Sequence, residues 1–304
     1  MANIDKIEEL QNLLREDVNN FQARRQLAVL LMDNGFNEES LKNLLYLSKH
    51  FENDSGIFYN LGIVYEKLKQ FHNAKEAYQR AIDIEPKSID AVYNLGLVYI
   101  ELQDYQNAIN CFEKVISTDE KDSNSYFNLG LIYFKMKDYP NAIMYFQRTV
   151  DINDEDIYAH FYIGNILKEF GDLEGAKAEF HRVLEISPDY SWAYYNLAVI
   201  DYENGDYERA QDNLNKTIEL NPADVEAYKI LAQLVSKRGY YAEAENIIKQ
   251  ALNSCGESGD LYYLAGKISK IEGSISKSKE YFSKALENSK TLSIPIPLVQ
   301  KELV

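Results

Sequence analysis

The sequence predicts an all-α fold: a solenoid of paired helices stacked along one axis. Two observations carry this. A 34-residue pattern recurs eight times without insertion or deletion, its units starting at Phe21, Ser55, Ile89, Ser123, Ile157, Ser191, Val225 and Gly259. Two positions in that pattern are always small. Position 8 is Ala28, Gly62, Gly96, Gly130, Gly164, Ala198, Ala232 and Gly266, and position 20 is Ser40, Ala74, Ala108, Ala142, Ala176, Ala210, Ala244 and Ser278. A fixed period of this length marks an array in which each unit buries its apolar faces against its neighbours.

Residues 55–88 show what one unit contains. Phe58, Leu61, Gly62 and Tyr65 fall at i, i+3, i+4 and i+7, one face of a first helix. Ala74, Tyr78 and Ala81 mark one face of a second. Position 15 lies between them and is Gly35, Gly171, Gly205, Gly239 and Gly273 in five units, the residue that ends a helix in the left-handed conformation. Lys69, Gln103 and Lys137 take that place in the other three, at a backbone cost. Pro86, Pro188 and Pro222 stop the second helix at position 32. The small residues at 8 and 20 predict a close helix–helix contact, and large residues at 4, 11 and 24 fill the space beside it.

Three segments carry a family resemblance: "FYNLGIVYEKLKQFHNAKEAYQRAIDIEP" (58–86), "VYNLGLVYIELQDYQNAINCFEKVI" and "AYYNLAVIDYENGDYERAQDNLNKTIELNP". They resemble the tetratricopeptide repeat (TPR), over residues 21 to about 290. The resemblance implies a right-handed superhelix, with the first helix of each pair lining a concave groove. It also implies a non-catalytic, protein-binding role. The predicted organisation is an N-terminal capping helix in 1–20, repeats in 21–54, 55–88, 89–122, 123–156, 157–190, 191–224, 225–258 and 259–292, and a C-terminal tail in 293–304. Ile4, Ile7, Leu10, Leu13 and Leu14 give the capping helix its apolar face.

Composition narrows the partners. The net charge of −16 disfavours binding to a nucleic-acid backbone, which needs clustered Lys and Arg. It favours a neutral or basic, partly apolar polypeptide. No apolar stretch reaches the roughly 18 residues of a membrane span, and the first residues lack the pattern of a signal peptide. Cys111 and Cys255 lie too far apart in the repeat to form a disulfide, so both are read as free thiols in the cytoplasm. The four histidines (His50, His72, His160 and His181) have no i,i+3 or i,i+4 partner among them, so neither a metal site nor a cofactor is expected. His160 and His181 read as one packed and one surface histidine. Asp154, Glu155 and Asp156 read as solvated charge at a helix start. No catalytic constellation is present.

The candidate site is the face of the first helices. Position 5 is Tyr59, Tyr93, Phe127, Phe161 and Tyr195 in five successive units. Position 6 is Asn60, Asn94, Asn128 and Asn196, with Tyr162 breaking the row. Position 9 is Ile63, Leu97, Leu131, Asn165 and Val199, and position 12 is Glu66, Ile100, Phe134, Lys168 and Tyr202. An asparagine offers the complement of a peptide bond, so a ladder of them can hold an extended chain while apolar neighbours bury its side chains. The alternative is that positions 5 and 6 join neighbouring helices.

The clamp by which related proteins hold the acidic C-terminus of heat-shock chaperones is not matched. Arg25 and Asn60 come closest, but Val29 stands where an asparagine is needed, and Asp90 would repel the ligand. The expected function is therefore a scaffold that takes a partner segment in its groove. The alternatives are a regulatory or substrate-recognition subunit of an enzyme complex, and a self-assembling structural protein. In the tail, Leu292, Ile294, Ile296 and Leu298 alternate with Ser293, Pro295 and Pro297. The prolines predict an extended segment that either packs back on the chain or docks against Ile63, Leu97 and Leu131, its own or another copy's.

Overall fold

The computed structural model describes residues 2–304, with side chains from Ile4 onward. Every regular element among them is helical. The chain forms two compact units, one up to Asp154 and one from Glu155.

The first unit holds α1 (Ala2–Glu16) and four helix pairs. These are α2 (Phe21–Asp33) with α3 (Asn37–His50), α4 (Ser55–Lys67) with α5 (Phe71–Ile84), α6 (Ile89–Glu101) with α7 (Tyr105–Thr118), and α8 (Ser123–Lys135) with α9 (Tyr139–Ile152). The second unit repeats the plan: α10 (Ile157–Glu169) with α11 (Leu173–Ile186), α12 (Ser191–Glu203) with α13 (Tyr207–Leu220), α14 (Val225–Lys237) with α15 (Tyr241–Cys255), and α16 (Gly259–Glu272) with α17 (Ile275–Glu287). A 3-10 turn, Ser289–Thr291, and α18 (Ile296–Lys301) follow. Within each unit, consecutive helices pack on one another.

The turn inside each pair is built the same way eight times. The residue at position 15 is left-handed throughout, with φ of 80–92° at the five glycines and 57°, 59° and 61° at Lys69, Gln103 and Lys137. In the pair α6–α7 the Gln103 N–H donates to the Ile100 carbonyl and the Asp104 N–H to the Tyr99 carbonyl, both at 2.9 Å. This closes the last turn of the helix in a Schellman motif. Asp104 then accepts the Asn107 N–H and starts the next helix, as Asp138, Asp172 and Asp206 do in later pairs.

The small residue at position 8 is matched to the residue it faces at position 24. The five glycines face Tyr78, Phe112, Phe146, Phe180 and Phe282. A Cβ added at Gly130 would stand 2.6 Å from the Phe146 ring. The three units with alanine at position 8 carry Leu44, Leu214 and Ile248 at position 24. An aromatic ring takes the room of a missing methyl, and a branched aliphatic side chain leaves room for one. All eight residues at position 24 are buried.

The two ends depart from the expectation in detail. On α1, Ile7 and Leu10 are buried against Ala23, Leu27 and Leu31. Leu14 packs beside them, while Ile4 and Leu13 are exposed, so three of the five expected apolar residues cover α2. The tail does not stay extended as its prolines predicted. Pro295 precedes α18 and Pro297 sits in its first turn, where a missing N–H costs no helical hydrogen bond. Val299 is fully buried against Tyr262, Phe282 and Ala285, with Leu292 and Ile294 half-covered beside it. The tail caps its own last repeat.

Candidate functional site

The rings at position 5 turn toward the second helix of their own pair. Tyr59 packs on Tyr78, Tyr93 on Phe112, Phe127 on Phe146 and Phe161 on Phe180, with centroids 5.5–5.9 Å apart. Tyr195 is half-buried and packs against the cluster around Leu231.

The asparagine row links neighbouring repeats. Asn94 donates to the Tyr59 hydroxyl at 3.2 Å, and Asn128 to the Tyr93 hydroxyl at 3.1 Å. Asn128 also donates to the Asn124 carbonyl and is nearly buried. Phe127 has no hydroxyl to offer, and the next repeat has Tyr162 in place of asparagine. Phe161 likewise has none, and Asn196 instead accepts from Lys168 at 2.5 Å while donating to the Trp192 carbonyl. Burial pushes the Lys168 ammonium below its ordinary pKa. Asn165 donates to the Phe161 carbonyl, and Asn60 is half-buried.

Positions 9 and 12 are partly covered, with Ile63, Leu97 and Ile100 packed against the core clusters beneath them. Ile63, Leu97 and Leu131 are half-buried on α4, α6 and α8. Ile100 and Phe134 are half-buried one turn further along the same face. Phe134 meets Tyr139 edge-on at 5.7 Å, and Tyr202 meets Tyr207 at 5.8 Å. Glu66 accepts from the buried Tyr78 hydroxyl, and burial raises its pKa above the usual carboxylate range.

The remaining polar groups serve packing. His160 is buried with Nδ1 2.6 Å from Glu179, while His181 is exposed. Asp156 caps α10 by accepting the Ala159 N–H. Cys111 and Cys255 are free thiols, and burial pushes Cys111 up to about 11. Asp201 stands where most repeats carry an apolar residue and is buried against Lys177 at 2.6 Å and Asn213 at 3.1 Å. Among the described residues no helix is long and apolar enough to cross a membrane.

Sequence reasoning passed over one surface. Tyr158 and Trp192 stand at position 2 of α10 and α12 and are 54% and 52% exposed. The signal was available: position 2 of every other repeat is Gln22, Gly56, Asp90, Asn124, Glu226 or Asp260.

Models of the tetratricopeptide repeat match residues 56–88, 88–155, 167–234, 201–268 and 259–291. No curated protein matches the chain. Among solved structures, YrrB, described as a TPR protein with an unusual peptide-binding site, is 26% identical, with a TM-score of 0.51 over 60% of this chain and 95% of its own. A tetratricopeptide repeat protein from Parabacteroides merdae is 19% identical, with a TM-score of 0.58 over 82% of this chain and 97% of its own. The C-terminal part of a TPR repeat-containing protein from Cytophaga hutchinsonii is 18% identical, with a TM-score of 0.66 over 75% of this chain and 94% of its own. The last two bear on the fold alone. With the repeat matched along most of 56–291 and the paired helices in place, the chain belongs to the tetratricopeptide-repeat family.

Proposed function

We propose that this chain is a non-catalytic scaffold that takes a segment of a partner polypeptide along the first helices of its repeats. The observation that carries the reading is the half-exposed apolar row at positions 9 and 12 of three successive repeats: Ile63, Leu97, Ile100, Leu131 and Phe134. The fold uses positions 5 and 6 for its own packing, so the partner contact moves to the neighbouring stripe. Asn94 and Asn128 then act mainly by holding that stripe in register. The peptide-binding site ascribed to YrrB, a relative of the same repeat family, supports a peptide as ligand. The net charge of −16 supports a neutral or basic one.

The mechanism is preorganisation. Rigid helices present a fixed apolar strip, so the ordering cost of binding falls on the partner segment alone. The test is a pull-down at native salt with the wild-type chain and with Leu97→Asp and Leu131→Asp. The retained polypeptide should weaken at least tenfold with either variant, since a carboxylate would be buried against an apolar ligand. Equal retention by wild type and both variants refutes the stripe as the binding face.

A further inference from the structure

Two local rules of the repeat change on the second unit, one at Tyr190 and one at the position-2 residues Tyr158 and Trp192. At position 34, immediately before each first helix, the chain carries Asn20, Asp54, Ser88, Asp122, Asp156, Asp224 and Ser258. These are the residue types that cap a helix N-terminus, and Asp156 and Asp224 do so by accepting the Ala159 and Ala227 N–H groups. The eighth is Tyr190, which starts α12 with no side-chain cap, as Ser88 and Asp122 also leave α6 and α8, and which packs instead on Phe161 and the cluster around Phe180 and Leu197. At position 2, two large rings replace polar or small residues and stay half in water. At position 2 the rule is broken without burial of the rings, the mark of a functional surface.

Tyr158 and Tyr190 lie together, and Trp192 follows Tyr190 by two residues. Tyr190 meets Tyr158 edge-on at 6.4 Å and Phe161 at 5.4 Å. Trp192 meets Tyr195 at 6.3 Å. The charges that reach Tyr195 are those of Glu226 and Asp224, and both raise its pKa after burial. Glu226 is shared with Lys229 at 2.9 Å and remains largely exposed. Aromatic faces carry negative quadrupole, and Trp is the strongest cation acceptor among them.

We propose that Tyr158, Tyr190 and Trp192 form a landing surface for an arginine side chain of the partner segment, its guanidinium stacked on the rings with Glu226 at the rim. This deepens the scaffold reading and rests on it. Guanidinium fits better than ammonium because it is planar and more weakly hydrated. The surrounding acidic balance draws it in.

Trp192 is the chain's single tryptophan, so its fluorescence reports on this surface alone. The probe is a decapeptide with two arginines in a glycine-serine background, titrated against its citrulline counterpart. The arginine peptide should change Trp192 emission, and the citrulline peptide should bind about tenfold more weakly. The deciding variant is Tyr190→Asn, which removes the ring and adds no charge. Helicity by circular dichroism should be retained while affinity for the arginine peptide falls about tenfold. Tyr158→Gln, at an exposed position, should weaken binding without changing the melt. Equal binding of the two peptides, undiminished affinity in Tyr190→Asn, or no response of Trp192 each overturns the proposal. Sensitivity of the natural partner to Leu97→Asp is measured separately. If it persists while the arginine peptide fails, the scaffold reading stands and this surface falls alone.

Discussion

Replacing Gly130 with alanine tests the packing logic of the whole array. The new Cβ would stand 2.6 Å from two carbons of the Phe146 ring and 3.0 Å from a third. Carbon atoms rest about 3.5–4.0 Å apart, so the ring must retreat by about 1 Å. Phe146 is fully buried and has little room to do so. Overpacking of this kind costs about 1–3 kcal/mol, and alanine's better helix propensity returns about 1 kcal/mol. The net expectation for Gly130→Ala is a loss of up to about 2 kcal/mol. Phe146→Leu alone should also destabilise, because it leaves a void beside Gly130. The double variant reproduces the Ala–Leu pair that Ala28 with Leu44 and Ala198 with Leu214 already form. It should therefore be more stable than the sum of the two single losses predicts, by about 1–2 kcal/mol. Guanidinium unfolding followed by circular dichroism, with slopes compared across the four proteins, measures this cycle. Single losses that add to within about 0.5 kcal/mol would show that positions 8 and 24 are not coupled.

Other outcomes follow from the same geometry. Lys69→Gly, Gln103→Gly and Lys137→Gly should each stabilise by up to about 1 kcal/mol, since a side chain in the left-handed region costs roughly 1–2 kcal/mol and glycine's unfolded-state entropy offsets part of it; unchanged thermal melts would contradict this. Asn128→Ala and Tyr93→Phe should each lower stability by about 0.5–1.5 kcal/mol, and the double variant by less than the sum, because they share one hydrogen bond. Burial alone would raise the Glu245 carboxyl, but hydrogen bonds from Lys277, Tyr281 and Lys249 outweigh it and hold it at about 2. Its contribution is present above the ordinary carboxylate range and is lost as pH falls through about 2, so Glu245→Gln should flatten that part of the acid-unfolding curve. Val299→Asp should lower the melting temperature by placing a carboxylate against Tyr262 and Phe282, whereas an unchanged melt would show that α18 is not a cap.

The period and the small residues made the helix pairs legible, and even the strained turns at Lys69, Gln103 and Lys137 followed from their place in the repeat. Three features were hidden for physical reasons. The match between Gly130 and Phe146 needs two columns read together, because each residue is ordinary in its own. The asparagine row reads equally well as a peptide ladder or a packing device until the Tyr59 and Tyr93 hydroxyls are placed beside Asn94 and Asn128. α18 was obscured by Pro295 and Pro297, whose effect depends on whether they fall before, at the start of, or inside a helix. Of the candidate site, the apolar stripe was visible from its spacing, while the rings of Tyr158 and Trp192 were lost among the aromatics of the core.

The central claim is that the first-helix face receives a partner segment. Hydrogen–deuterium exchange of the purified chain, with and without the polypeptide it retains at native salt, tests it most directly. Protection gained in α4, α6 and α8 around Ile63, Leu97 and Leu131 is the predicted result. Protection confined to the second helices, α5, α7 and α9, would contradict it.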